Sequence, residues 1–395
     1  MPLPLESLRV LDATQVLAGP FCTQLLADMG ADVTKVEPPT GDQSRRAMGF
    51  SMKGQDTAAF LAVNRNKKSL TLNLKDRDAR EVLYTLVRSA DVLVENYRPG
   101  VTARLGIDYE TLSSINPRIV YASISGFGQT GPYADRGAHD LIAQGMTGLM
   151  SVTGEPGGRP VKVGVSIADL SAGLFCAFGI LTAYIARERT GRGQHIDTSI
   201  FEGSLALSVF EAAELWGQNR APRPLGSANR TSAPNQAFAT RDGFLNVCAS
   251  NERLWRRLCE AIGRSDLCAD DRFTSNSHRM TNQEVLAEEL EATFRGRDTK
   301  EWVDELSRAG VPAGPIYDYA QVFDDPHTRA RQMVVEMVHP VEGVLRGIGI
   351  PVKLSDTPGL VRRAPPLLGE HTKEILVGLG YTRQQIEAMR ARGAV

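Results

Sequence analysis

The sequence predicts an α/β protein with a parallel sheet and a second, smaller domain. Short β-branched runs alternate with amphipathic or apolar helical runs through the first half of the chain, the pattern of parallel strands joined by crossover helices. At 395 residues the chain exceeds the roughly 250–300 residues at which a single core stops growing. Composition then breaks at 217–234 (GQNRAPRPLGSANRTSAP), which is rich in Pro, Asn, Arg and Ser without apolar periodicity and reads as a long connector.

The elements follow in order. Residues 8–14 read as a strand. A turn at Gly19, a helix that opens with Pro20 and closes at Gly30, and a strand over 32–37 come next. Further strands are expected at 69–74, 92–96 and 119–125, with Asp76 capping a helix to Ser89 and Asp108 capping a shorter one before Pro117. Helices over 138–152 and 167–189, a strand over 194–199 and a helix over 201–216 complete this part. Beyond the connector, a hairpin around Asp242 and Gly243 precedes helices near 252–262, 282–294 and 299–308. The irregular stretch 311–326 leads to strands at 334–339 and 350–354 and closing helices near 370–379 and 383–392.

Charge and cysteine usage exclude several function classes. Lys+Arg 45 against Asp+Glu 46 leaves a net charge of −1, so no global field recruits nucleic acid or an anionic membrane, and any anion site must be local. Five scattered cysteines without ligand spacing point to a reducing compartment and no metal site. The N-terminus has no basic segment followed by an apolar one, so a cytoplasmic protein is expected. The apolar run 167–186 has about the ~20 residues of a bilayer span. Asp169 and its small residues argue for a core helix, so no membrane association is expected.

Several segments carry candidate chemistry. The first strand, Gly19 and Glu37 imitate a dinucleotide site, but LAGP has a single glycine, so a nicotinamide is not expected. Asn64-Arg65-Asn66-Lys67-Lys68-Ser69 and Glu95-Asn96-Tyr97-Arg98-Pro99-Gly100, the latter continuing to Arg104, are either solvated faces or phosphate sites at strand ends. Asp169, in the first turn of an apolar helix, is either an ordinary helix-start residue or a carboxylate nucleophile or acid/base in a poorly solvated cleft. His139, followed by Asp140, is either structural or a proton shuttle with Asp169.

Together these segments resemble the class III coenzyme A transferase family, named after its carnitine CoA-transferase and bile-acid-inducible members. The similarity runs almost end to end, through VLDATQVLAGPFCTQLLADMGADVTKVE, NRNKKSLTLNL, DVLVENYRPGVTARLG, HDLIAQGMTGLMSVTG, VGVSIADLSAGL, RTGRGQHIDTSIFEG and APPLLGEHT. The resemblance implies a Rossmann-like large domain built from 1–216 and 331–395. A smaller α+β domain over 235–310 is set between linkers 217–234 and 311–330, and two chains interlock as a homodimer.

It also implies CoA transfer from an acyl-CoA, succinyl-CoA among the donors, to a short-chain carboxylic or dicarboxylic acid. Coenzyme A is then substrate and product, and no cofactor is tightly bound. Asp169 matches the family's catalytic aspartate, with Gln15 and the Gly137 and Ala138 backbone placed to hold oxyanions or the carboxylate. Leu17, Ala18, Leu72, Lys75, Asn96, Tyr97, Arg98 and Arg104 match CoA contacts, Lys75 and Arg104 being the phosphate-neutralising choices.

Three departures stand out. No glycine-rich run flanks Asp242, which disfavours formyl-CoA:oxalate exchange. Pro38 stands where some members have a basic residue, so Arg45 or Arg46 is expected to compensate. His139 and Asp140 replace the aromatic common in transferases and, with Asp169, reproduce the set of the related 2-methylacyl-CoA racemases; racemisation with His139 and Asp169 as an acid/base pair is the alternative.

Overall fold

The structure, a computed structural model, describes residues 2–395. Its centre is a six-stranded sheet of β1 (Arg9–Ala13), β2 (Asp32–Glu37), β3 (Lys67–Thr71), β4 (Val92–Glu95), β5 (Val120–Ser125) and β6 (His195–Ser199). All are parallel, in the order β3-β2-β1-β4-β5-β6. This is the doubly wound order, in which the connections leave β1 in opposite directions. Alternating residues feed two cores, because side chains of a strand point to opposite faces. Val10, Val92 and Val94 pack with Leu26 and Ile180 on one face, while Leu11 and Leu93 pack with Leu70, Leu83 and Tyr121 on the other.

Helix Ile167–Thr190 buries a stripe of small residues that includes Ala168, Ala172, Gly173, Cys176 and Ala177. A Cβ at Gly173 would lie 2.7 Å from the Ala18 carbonyl oxygen, so glycine permits the close approach of helix Ala18–Asp28. This is the one helix long and apolar enough for a bilayer among the described residues, and its small-residue face is packed into the core.

The chain divides into two compact units, one comprising Met1–Leu149, Lys162–Gln218 and His327–Val395 and the other Met150–Val161 and Asn219–Pro326. In the first, the C-terminal tail ties onto β3: His371 N–H donates to Ser69 O at 3.0 Å, Thr71 N–H to Thr372 Oγ1 at 3.0 Å, and Asn73 N–H to Ala394 O at 2.8 Å. The second unit holds an antiparallel sheet of β7 (Asn235–Ala239), β8 (Phe244–Cys248) and β9 (Ala313–Pro315), with helices over an aromatic core of Phe238, Trp255, Phe273, Phe294 and Trp302.

Several boundaries differ from those the sequence suggests. The helix expected over 138–152 is two, Asp140–Met146 and Leu149–Val152, because Gly148 adopts φ +85° between them. The helix expected over 201–216 likewise breaks into Ile200–Leu205 and Val209–Gln218. The stretch 311–330 is no plain linker: it contributes β9 to the second sheet and carries helices Tyr319–Asp324 and Pro326–Ala330. The strand expected at 350–354 lies at Gly343–Ile348, in a hairpin with Val334–His339; Pro351 has no N–H to give to a ladder.

Candidate active site

In a doubly wound sheet, ligands bind outside the carboxyl ends of the strands where the winding reverses. Here that point lies between β1 and β4. A cavity of about 440 Å³ opens there, lined by Gln15, Val16, Leu17 and Ala18 after β1, by Asn96, Tyr97 and Arg98 after β4, and by Gly137, Ala138, His139 and Asp169.

The wall after β1 is fixed from below. The Asn96 amide clasps Gln15: its Oδ1 accepts the Gln15 N–H at 2.8 Å and its Nδ2 donates to the Gln15 carbonyl at 2.8 Å. Val16 then takes a left-handed conformation, φ +71°, and donates its N–H to Asp42 Oδ1 at 3.1 Å. Gly19 starts the helix against Thr14, whose side chain leaves only 2.3 Å for any Cβ, so this glycine serves helix packing. Glu37, the apparent ribose acid, is buried and bonded to Arg45.

Asp169 stands in the first turn of helix Ile167–Thr190. Its neighbour Asp140 organises that helix start. Asp140 Oδ1 accepts the Ala168 N–H at 2.9 Å and Oδ2 accepts from Gln144 Nε2 at 2.7 Å, while Gln144 Oε1 accepts the Val163 N–H at 2.8 Å. The Asp169 carboxylate has no hydrogen-bond or ion-pair partner among the described residues. Burial pushes its pKa up to about 6, and the Asp140 charge adds to the rise. The helix N-terminus favours its anion in the opposite sense. At neutral pH the group is thus ionised, poorly solvated and more basic than an ordinary carboxylate, a state that suits nucleophilic attack or acid/base work. His139 is exposed and makes no side-chain cap at its helix. Asp140 is engaged by the helix start and by Gln144, while His139 and Asp169, the pair the sequence suggested, both line the cavity.

The candidate cations fall into distinct settings. Arg98 lines the cavity and lies over Gly137, where a Cβ would come within 2.9 Å of its Nη2, so glycine makes room for the guanidinium. Lys75 and Arg104 are exposed and do not line the cavity, and Leu72 is 1% exposed, packed in the core with its N–H donated to the Glu37 carbonyl at 2.7 Å.

Arg45 does not compensate for Pro38: it is buried, bonded to Glu37 and Asp56, and lies 3.6 Å from the Phe60 ring centroid. The 64–69 cluster is neither a solvated face nor a phosphate site. Arg65 pairs with Asp28 at 2.7 Å and Lys67 with Asp12 at 2.9 Å, all four side chains being buried. Val16, Gln43 and Arg136, which also line the cavity, were missed; no local pattern marks them, and Val16 gives no sign of its positive φ.

A doubly wound sheet with a ligand-sized crevice at its switch point defines an α/β ligand-binding fold, and comparison with known proteins supplies the family. The chain belongs to CoA-transferase family III, whose profile matches residues 5–372, and is a CoA-transferase enzyme. It is 43% identical over 354 residues to the acetyl-CoA:oxalate CoA-transferase of Acetobacter aceti, covering 89% of each chain. It is 38% identical over 394 residues to the succinyl-CoA:glutarate CoA-transferase of Homo sapiens, covering 99% of this chain and 90% of that one. The crystal structure of a CAIB/BAIF family protein from Brucella suis superposes with a TM-score of 0.87 at 37% identity, over 96% of this chain and 100% of that one.

Proposed function

We propose that this enzyme moves CoA from an acyl-CoA, succinyl-CoA among the donors, to a short-chain carboxylic or dicarboxylic acid, with Asp169 as the nucleophile. The observation that carries the reading is the Asp169 carboxylate: unpartnered, poorly solvated and facing the switch-point cavity. Its oxygen attacks the thioester carbonyl carbon. The C–S bond breaks, giving a mixed anhydride and CoA thiolate. The thiolate then attacks the Asp169 carboxyl carbon and the donor acid leaves as its carboxylate, so the enzyme holds an aspartyl-CoA thioester. The acceptor carboxylate runs the same two steps in reverse.

Carboxylates and thiolate exchange with no net proton or electron change, so the protein's tasks are orientation, exclusion of water and stabilisation of tetrahedral oxyanions. Gln15 and the Gly137 and Ala138 backbone are assigned to the oxyanions, and Arg98, lying in the cavity without an ion-pair partner among the described residues, to a phosphate or carboxylate of the substrates. Leu17, Ala18, Asn96 and Tyr97 contribute cavity wall to the CoA chain. Relatives whose names carry oxalate and glutarate support a dicarboxylate acceptor.

The outward face of helix Ile167–Thr190 leaves Leu174, Phe175, Phe178, Leu181 and Ile185 exposed, Phe178 at 69%. A face this apolar supports a homodimer in which a second copy covers it, with the interlocking that the family resemblance implies. Racemisation with His139 and Asp169, which line the same cavity, is the second reading; the relatives named as CoA-transferases favour transfer.

The test is a mass-spectrometric screen of acyl-CoA donors against a panel of carboxylates, followed by hydroxylamine trapping with the best pair. Label at Asp169 and loss of transfer in Asp169→Ala are expected, with transfer in the wild type falling on the acid side with a midpoint near pH 6. Deuterium uptake at C2 of a 2-methylacyl-CoA without an acceptor would instead establish racemisation.

A further inference from the structure

We propose that Asp42 is a positioning residue of the transfer site: its carboxylate holds Val16 in the left-handed conformation and thereby sets the cavity wall that presents Gln15. Among the described residues, the non-glycine positions with positive φ are Val16, Asn66, Asn219 and Gln332. Val16 alone of these is β-branched, the side-chain type least compatible with that region. Such a conformation persists only where the surroundings over-determine it, and it clusters at functional sites.

The surroundings here are specific. Asp42 Oδ1 accepts the Val16 N–H at 3.1 Å and is itself anchored by the Ser44 N–H and hydroxyl, each at 2.8 Å. Asp42 Oδ2 meets Lys35 Nζ at 2.9 Å with both side chains 0% exposed, and the same ammonium donates to the Thr14 carbonyl at 2.8 Å. Asp42's own N–H is held by Glu37 Oε2 at 3.1 Å. With the Asn96 clasp on Gln15, every residue from Thr14 to Val16 is therefore tethered through its backbone from inside the fold. Neither Asp42 nor Lys35 lines the cavity, so both act through the loop. A glycine at 16 would make the turn without a tether. Valine places a branched side chain on the cavity wall and requires Asp42 to keep it there.

The inference rests on the cavity being the transfer site. Kinetics with the fastest donor–acceptor pair of the wild type test it. Asp42→Ala is expected to lower kcat at least tenfold while KM for the acyl-CoA changes less than threefold. Asp42→Asn, which keeps the Oδ1 acceptor, is expected to retain kcat within threefold. Adding Val16→Gly to Asp42→Ala, which frees the positive φ from its side-chain penalty, is expected to restore at least threefold of the loss; a merely destabilising role would give no such rescue.

Hydrogen exchange of the wild-type Val16 amide supplies a measurement independent of any variant folding, and strong protection is expected. A folded Asp42→Ala enzyme with kcat within twofold of wild type, absence of rescue, or an unprotected Val16 amide each overturns the proposal. Asp169→Ala serves as the control: if it stays active, the site reading fails, whereas an inactive Asp169→Ala beside an unaffected Asp42→Ala sinks this inference alone.

Discussion

Carboxylates around the same sheet behave in opposite ways on its two sides. Beneath the β2–β3 side, Asp12 meets Lys67, Glu37 meets Arg45 and Asp42 meets Lys35, at 2.9, 2.8 and 2.9 Å. Burial alone would push all three carboxyls up, yet the adjoining cations and hydrogen bonds hold each below the usual carboxylate range. On the other side, Glu95 at the end of β4 and Asp169 on the cavity have no cation beside them among the described residues, and burial pushes them up to about 7 and about 6. Glu95 keeps only hydrogen bonds, among them the Tyr97 N–H at 2.8 Å. The difference teaches what each region is for. Paired carboxylates fix a backbone, and an unpaired one in a cleft keeps its lone pairs for a reaction at the expense of stability.

The contrast breaks most completely at Asp169. Asp169→Ala is expected to lower transfer by at least about 10³-fold, as loss of a nucleophile does, with the fold intact by circular dichroism. A variant within tenfold of wild type would mean that the unpaired carboxylate is not the reacting group.

On the paired side the expectation reverses. Lys67→Met leaves Asp12 buried without its cation, at a cost of roughly 3–5 kcal/mol. Burial pulls the Lys67 ammonium down to about 8 despite Asp12, a sign of how dry this position is. Urea unfolding should record the loss, and the double change Lys67→Met with Asp12→Asn should recover part of it, since no charge is then stranded. Equal stability of wild type and Lys67→Met would erase the distinction between the two regions.

The sequence made the parallel sheet legible because its short β-branched runs and helical patterns are undisturbed in 8–37 and 92–125, where strands are buried on both faces. Asp169 was legible because a lone acid interrupts an apolar helix. The cationic clusters were not. Arg45, Arg65 and Lys67 look like ligand-binding residues in the sequence, and only the folded chain brings Glu37, Asp28 and Asp12 against them across 8, 37 and 55 residues. The Asp140 bond to the Ala168 N–H was equally illegible, since it is set by how one helix start meets another. The Val16 conformation leaves no mark in composition or period at all.

The smallest expected effect is a stability difference whose pH dependence isolates Asp169. Its folded-state pKa is about 6 against an ordinary value of 3.8, so the folded protein binds this proton more tightly than the unfolded chain. Below about pH 4 the group is protonated in both states and Asp169→Asn should match wild type. As pH rises through 6, the wild type ionises in a poorly solvated place and loses stability. The Asn variant does not, and should end roughly 1–3 kcal/mol more stable at pH 7.5, allowing for partial solvent screening. Glu95 has its own window of the same sign, between 4.5 and about 7, but it is present in both proteins and cancels in the difference. Thermal unfolding at half-unit pH steps measures the curve. A difference that is flat from pH 4 to 7.5, or that favours the wild type at neutral pH, would place Asp169 among the paired carboxylates and remove the thermodynamic ground for calling it the nucleophile.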